Sequence, residues 1–498
     1  MELTYIGIIV ALVGLYILLF GRVRSAIFFL VCTAILMGSA AVSLPALGGS
    51  SIPVVQFALL FTTLKILTPR GGYHGLLPDA FRDNRWLIVF AVFGVAMAYL
   101  GPRIFADTIN VFPMQPPASL GPFDTVPLQP TAQNVTGAFY IFGALVLGLS
   151  GYVFSRMPDA GRAIVGAVLL AGWFHLATGV TDIVTRGTGM EGILDVFRNA
   201  NYSALDHQTD GFVRIRGVQA EASVYATQGF ILFVTTAEMW YRSIRPRATG
   251  LVAGLLALVL VISTASTAYV SLAVYAAFFI TRATLFPSAA PRGKVKRAAI
   301  AGFALLCVLS AIFIVVPQVL LGIWELVADM TLGKPQSFSG QQRLFWALQG
   351  WDAFLASYGL GIGPGSFRSS SIVTAILGSV GVLGATAFVL YLASVFQVSR
   401  RSSWGIGPTP RETLGGALGS AALLSLVPAA VSAPHPVPAA LVSLFAGAAI
   451  ALRKGAPQPL GAQPRPATPI DLRRKEPETV APAGIRLGRR PVAGTNRS

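Results

Sequence analysis

Charge is what this chain has least of. Of its 498 residues only 11% are Asp, Glu, Lys or Arg, against 54% hydrophobic ones, whereas soluble domains carry about 25% charged residues. No soluble core encloses that much apolar surface, so the composition excludes a water-soluble globular protein and points to a polytopic membrane protein. The mean hydropathy of +0.68 agrees. Cysteine is nearly missing too. Cys32 and Cys307 both sit in apolar runs, so they read as small packing residues, with no disulfide framework or zinc site. Acidic residues are few and scattered, with no paired-carboxylate motif. The glycine-rich GLGIGPGSFR at 359–368 lacks the GK[ST] ending of a P-loop and follows no strand of a dinucleotide fold.

What the chain has in abundance is long apolar runs. They predict an all-α protein of about thirteen transmembrane helices (twelve to fourteen) over 1–452. The spans fall near 4–20, 25–46, 51–68, 86–105, 135–154, 163–184, 219–240, 249–264, 267–281, 299–322, 372–397, 413–432 and 438–452. Glu2 precedes the first span and Arg22 and Arg24 follow it. No basic leader or small-residue cleavage site comes before it, so it reads as an uncleaved anchor with its N-terminus outside.

Lys and Arg placement tests that orientation. If 21–24, 69–85, 155–162, 241–248, 282–298 and 398–412 lie inside, they collect 18 cations, and the tail from Arg453 adds 10. Outside remain Arg103, Arg186, Arg198, Arg214, Arg216, Lys334, Arg343 and Arg368. Alternate loops thus obey the positive-inside rule, and the net charge of +17 is mostly a topology signal that carries no implication of nucleic acid. The C-terminal segment 453–498, rich in Pro, Ala, Gly and Arg, reads as a disordered basic cytoplasmic tail. Its charges either lie on anionic lipid or simply help to set topology.

Three outside segments are long enough to be structured. The stretch 106–134 is Pro-rich and nearly uncharged, a cap or spacer. The other two, 185–218 and 323–371, hold seven of the eight outside cations. In the first, a short amphipathic helix is expected around Gly192–Asn199, then a loop with Asp206, His207 and Asp210. Arg214 and Arg216 follow, and Glu221 opens the next span. Were that helix to start early, Arg214 and Glu221 would share a face. Two readings stand: an interfacial salt bridge with snorkelling arginines, or an anion site, since guanidinium forks match phosphate oxygens.

In the second segment, Leu344, Leu348, Trp351 and Leu355 recur at helical spacing, with Phe345, Trp346 and Phe354 widening the stripe. The pattern predicts an amphipathic helix lying on the outer membrane surface. Ser337 or Ser339 would cap it and Arg343 would fall in its first turn, where a cation is disfavoured unless an anion joins it. The glycine run beyond offers backbone N–H groups beside Arg368, although a structural turn is the simpler reading.

RIRGVQAEAS opening a span, followed by RLFWALQGW and LGIGPGSF, resembles the superfamily of O-antigen ligases and Wzy-type O-antigen and exopolysaccharide polymerases. These motifs cover about 205–385. The resemblance implies a GT-C-like membrane fold with two structured periplasmic loops, 185–218 and 323–371, in a bacterial inner membrane with a cytoplasmic C-terminus. It implies a glycosyltransferase whose donor is an oligosaccharide on a polyprenyl pyrophosphate, with membrane lipids and a flippase and chain-length regulator of the same pathway as partners. No metal or other cofactor is expected, so arginines must meet the leaving-group charge. Arg214, Arg216, Arg343 and Arg368 would bind pyrophosphate. Glu221 is the first candidate base and His207 the second, with Glu221 orienting an arginine as the alternative.

Two departures separate the branches. Ligases carry a histidine where this chain has Ser369, Ser370 and Ser371, and STASTAY at 263–269 lacks an arginine often found there. Both favour a polymerase over a ligase. A transporter, such as a lipid-linked oligosaccharide flippase, would instead concentrate polar groups at the bilayer midplane. Remaining charges read as structural: His175 and Asp182 as a pair on one face of the sixth span, Lys65 and Glu238 as snorkelling groups at inner span ends. The sequons at Asn134 and Asn201 read as coincidental.

Overall fold

Backbone polar groups in lipid must be satisfied within the segment, and apolar runs rich in Leu, Val and Ala do this as helices. A computed structural model describes residues 2–44, 50–69, 71–117, 119–200, 214–286, 293–300 and 337–454. His207 and the spans and loop expected within 301–336 therefore lie outside the described residues, as does the tail from 455.

The fold is helical with little sheet. In order come α1 (Tyr5–Leu19), α2 (Val23–Ala34), α3 (Val54–Leu67), α4 (Leu77–Asp83), α5 (Arg85–Ile104), α6 (Ala132–Arg156), α7 (Ala160–Val184), α8 (Ala222–Tyr241), α9 (Pro246–Ile262) and α10 (Ser266–Leu285). These are followed by α11 (Phe338–Ala356), α12 (Ile372–Phe396), α13 (Pro410–Leu424), α14 (Leu426–Ser432) and α15 (Ala440–Leu452). Among the described residues six segments are long and apolar enough to cross a membrane: α5, α6, α7, α10, α12 and the α13–α14 pair. Five shorter apolar helices, α1, α2, α3, α9 and α15, accompany them. The chain is a multi-pass membrane protein.

α8 falls outside those six because it carries Gln228, Thr235, Thr236 and Glu238. It is buried along nearly its whole length against α7, α9, α10 and α13. Its threonines return their hydroxyls to the carbonyls of Ile231 and Leu232, at 2.6 and 2.8 Å, which satisfies them without a partner helix. Close helix approaches use glycine. A Cβ on Gly447 of α15 would stand 1.9 Å from the Gly148 oxygen of α6, the tight packing small residues permit between membrane helices.

The second expected span, 25–46, is corrected. α2 ends at Ala34, and residues 40–44 form β2 (Ala40–Leu44) between β1 (Glu2–Leu3) and β3 (Ser50–Pro53), all antiparallel. Gly38 lies so close to the chain at Val218 that a Cβ would meet its oxygen at 2.4 Å. Side-chain amides of Gln219 and Gln228 take the terminal carbonyls of Ile35 and Ala34 at 2.7 and 3.3 Å. An apolar run hides this stop because the caps come from elsewhere in the chain.

Segments assigned to one side by charge do meet at one end. Arg411 reaches the Ser155 carbonyl (2.7 Å), and Asp83 binds Tyr152 (2.6 Å) and Lys454 (2.5 Å). Arg242 reaches the carbonyls of Ser402, Ser403 and Gly405. Glu238 belongs to this group and does not snorkel. It is fully buried, bound by Arg242, by Arg282 at 2.7 Å and by the Tyr275 hydroxyl at 3.1 Å. Arg282 comes from another helix, so sequence spacing could not show it, and a carboxylate this deep persists only when paired.

At the opposite end the glycine run enters the bundle. α12 breaks at Gly381 (φ +57). Ile362 and Gly363 donate to the freed carbonyls of Gly378 and Ser379 at 2.8 and 3.0 Å, and Val382 donates to the Gly359 carbonyl at 2.9 Å. Gly359, Gly361, Gly363 and Gly365 all have positive φ. Cβ atoms on Gly361, Gly363 and Gly365 would meet the backbone of Ser379, Met97 and Gln133 within 2.5 Å. The amides of Ile362 and Gly363 are thus occupied by α12, that of Gly359 by the Phe354 carbonyl and that of Gly361 by the Ser357 hydroxyl, which supports the structural-turn reading over an anion nest.

Gly361→Ala should lower the unfolding midpoint in detergent, by a loss of about 2 kcal/mol or more from left-handed backbone and overpacking. Gly254→Ala in α9, where nothing lies within 4 Å of a new Cβ, should leave the midpoint unchanged or raise it. Equal midpoints for the two variants would contradict the wedge.

Candidate functional site

The site is built from three segments at this end of the bundle. The first is 182–221. Expectation paired Asp182 with His175, but the structure separates them. His175 stacks on Tyr225 (4.0 Å between ring centroids). Asp182 accepts from Arg198 at 2.5 Å, Arg186 at 3.3 Å and the backbone N–H of Arg216 at 3.0 Å. Arg198 also donates from Nε to the Gly217 carbonyl at 2.8 Å. Seven residues along a helix place two groups on one face, yet a carboxylate at the helix end is nearer to the arginines of the loop above it. The expected helix around Gly192–Asn199 is a 3-10 helix over Glu191–Phe197, which delivers Arg198 to Asp182.

This anchor orders the approach to α8. Residues 214–216 belong to no helix or strand and α8 begins at Ala222, so Arg214 and Glu221 do not share a helix face. Glu221 is the residue before the helix, with extended backbone, and its Oε2 accepts from the Ser223 hydroxyl at 3.1 Å.

The second segment is α11. Its amphipathic reading holds: Leu344, Leu348, Trp351 and Leu355 are all exposed, while Gln349, Gly350 and Ala353 are buried towards α12. Ser337 caps it, accepting from the Gly340 amide at 3.2 Å. Arg343 is the sixth helical residue and so lies in the second turn, where the helix dipole has faded. Trp346 does not widen the exposed stripe. At about 100° per residue it sits about 200° from Leu344, and it packs inward on Phe112, 5.6 Å between centroids.

The third segment is the run after the glycines. Arg368 lies over the Trp346 ring at 4.4 Å, and its amide donates to the Phe112 carbonyl at 2.9 Å. Ser370 donates to the Arg343 carbonyl, and Ser369 binds Ser371 and Thr374. The serines thus hold the backbone that carries Arg343. The Pro-rich 106–134 is more than a spacer. Phe112 takes the Gln349 side chain at 3.1 Å and Phe123 packs on Phe338 and Phe345.

These segments bring Arg214, Glu221, Arg343 and Arg368 together, all half-buried. Burial pulls the Arg343 pKa below its ordinary value, Glu221 pushes it back up, and Arg214 and Arg368 pull it down again. Burial likewise lowers that of Arg368, with Glu221 opposing. Arg216, held by its amide to Asp182, is not among the charges that act on Arg343. Three guanidiniums around one carboxylate, desolvated but within reach of solvent, suit an anionic ligand.

One residue escaped the sequence reading. The Ser369 amide donates to the Pro434 carbonyl at 3.1 Å, which brings the 433–437 turn, and His435 with it, to the serine run. His435 packs against Tyr140 and accepts from the Val437 amide through Nδ1 at 3.4 Å; burial holds its pKa below the ordinary histidine value. Lying between two spans with no motif around it, His435 gave no signal. Asn134 is buried, its amide bound to Pro364 and Ser366, so that sequon does not offer a modification site.

No family model matches the chain, and no curated protein or solved structure matches it either.

Asp182→Asn should unfold at a markedly lower temperature in detergent, since breaking a buried pair costs about 3–5 kcal/mol. Arg162→Ala, which removes a fully exposed pair with Asp159, should leave the midpoint where it was. A wild-type midpoint in Asp182→Asn would show that the anchor does not order the loop.

Proposed function

We propose that this chain is a glycosyltransferase that polymerises polyprenyl-pyrophosphate-linked oligosaccharide repeat units at the outer face of a bacterial inner membrane. The observation that carries the reading is the cluster of Arg214, Arg343 and Arg368 around Glu221, half-buried at one end of a membrane bundle. In the reaction, an acceptor sugar hydroxyl attacks the anomeric carbon of the donor. The bond from that carbon to the pyrophosphate oxygen breaks and its electron pair leaves with the pyrophosphate. Guanidiniums already fixed around that oxygen stabilise the developing charge without reorganising. The hydroxyl proton needs an acceptor, and Glu221, opening α8 within the cluster, is the candidate.

Two rivals have an observation each. A flippase is favoured by the break in α12, because transporters bind substrate at broken helices. Here, however, the glycine run fills the break, and the site charges gather at one end. A ligase is favoured by His435 beside the serine run, although it comes from a different segment from the ligase histidine.

Deletion should leave single repeat units on the lipid carrier and abolish long polymer. Full-length polymer on the carrier would identify a ligase, and units confined to the inner leaflet a flippase. Arg343→Lys and Arg368→Lys keep charge but lose the fork, so polymerisation should fall at least about tenfold, or 1.4 kcal/mol. Full activity in both refutes the clamp.

Orientation is tested by single cysteines in a cysteine-free background. A cysteine at the exposed Ser119 should react with an impermeant maleimide on intact cells. One at the exposed Arg247 should react only after permeabilisation. Labelling of Arg247→Cys on intact cells would invert the topology and remove the site from the outer face.

A further inference from the structure

Trp346 presents a puzzle that packing alone does not solve. Its ring is fixed between Phe112 and the Arg368 guanidinium. Phenylalanine would serve both contacts, since each uses the ring face. Tryptophan adds an indole N–H, and here that N–H is buried without a hydrogen-bond partner among the described residues. Buried indole donors usually find partners, because an unmet one loses its hydrogen bond to water with nothing in return. The Nε of Arg368, stacked on the same ring, is likewise buried and unmet. Two adjacent orphaned donors, one of them cationic, belong to side chains that are otherwise half-open to solvent.

Both are held still. The Arg368 amide binds the Phe112 carbonyl, the Phe112 amide binds the Gln349 side chain, and Gln349 and Trp346 share α11. Three segments therefore lock the ring and the guanidinium against each other before any ligand arrives, the condition under which donors bind strongly. An indole N–H only donates, and so does a guanidinium. What completes the pair is an acceptor oxygen that carries negative charge. Arg368 also interacts with Glu221, which places the pair at the edge of the arginine cluster.

We propose that Trp346 and Arg368 form a paired donor to one phosphate of the ligand, making Trp346 a substrate-binding residue alongside Arg343 and Arg214. The proposal rests on the reading of this cluster as a pyrophosphate site. A phosphate of a membrane phospholipid has the same oxygen chemistry, so the test separates the two sources.

Full-length protein in nanodiscs of neutral lipid is titrated with geranylgeranyl pyrophosphate, and separately reconstituted with phosphatidylglycerol. Dissociation constants come from calorimetry and tryptophan emission is followed in parallel. Wild type should bind the pyrophosphate with a change in emission. Trp346→Phe keeps the ring and the cation contact, so it should unfold like wild type. It should bind at least about tenfold more weakly, as loss of a hydrogen bond to a charged group requires, and the emission change should vanish. Arg368→Lys is the second variant and should weaken binding similarly. Wild-type affinity in Trp346→Phe overturns the proposal while leaving the arginine site standing. Absence of any pyrophosphate binding to wild type overturns the site itself. If phosphatidylglycerol alone reproduces the emission change and blocks the titration, the occupant is a phospholipid headgroup and the pyrophosphate assignment fails.

Discussion

The insertion of the glycine run into the broken helix α12 is the constraint on which this end of the bundle depends. A helix interrupted at Gly381 leaves the carbonyls of Gly378 and Ser379 without intrahelical donors, and at membrane depth water does not supply them. Ile362 and Gly363 do. Side chains at 361, 363 or 365 would strike α12, α5 or α6, so only glycine lets the backbone reach. That single insertion sets where α11 ends, where Arg368 emerges, and how the serine run passes beneath Arg343. The run thus serves the proposed anion site indirectly, by placing Arg368 and the backbone near Arg343.

The two ends of the bundle treat their arginines differently. At one end each buried guanidinium has a local answer. Arg242 meets Glu238 and a ring of carbonyls, Arg282 meets Glu238 and the face of Tyr241, and Arg453 meets the Val395 carbonyl and Ser403. Such a network locks helices together. At the other end Arg198 and Arg186 are likewise answered, by Asp182. Arg343 lies among the charges of Glu221, Arg214 and Arg368, and among the described residues the Arg368 Nε and the Trp346 indole N–H have no hydrogen-bond partner. Proteins keep such arrangements where a ligand completes them. Donors of Arg282, Arg411 and Arg453 at the first end are unmet too, so what marks this pair is that two unmet donors, of Trp346 and Arg368, lie against each other.

Much of this was legible in the residues before any coordinates. The helical period of 344, 348, 351 and 355 marked the exposed face of α11 correctly, because an apolar stripe along one helix is written locally. Loop charge sorted the segments into the two ends that the structure assembles. Of the site arginines, 214, 343 and 368 do converge with Glu221, while 216 turns its amide to Asp182. The errors share a cause. Trp346 was grouped with residues nearly opposite it on the helix. Glu238, Asp182 and the end of α2 were misjudged because their partners lie far along the chain. His435 went unnoticed because only the fold brings its turn to Ser369.

By itself, then, the sequence determined the solvent the protein lives in, the helical class and the segments that carry charge. These follow from composition and short-range periodicity, which act within a few turns of chain. Tertiary structure alone decided which cations pair with Glu238 and Asp182 and which gather with Arg343. Pairing energy falls steeply with distance in a low-dielectric interior, and the distances between Arg282 and Glu238, or between Arg343 and Arg214, are set by how the helices pack around a broken α12.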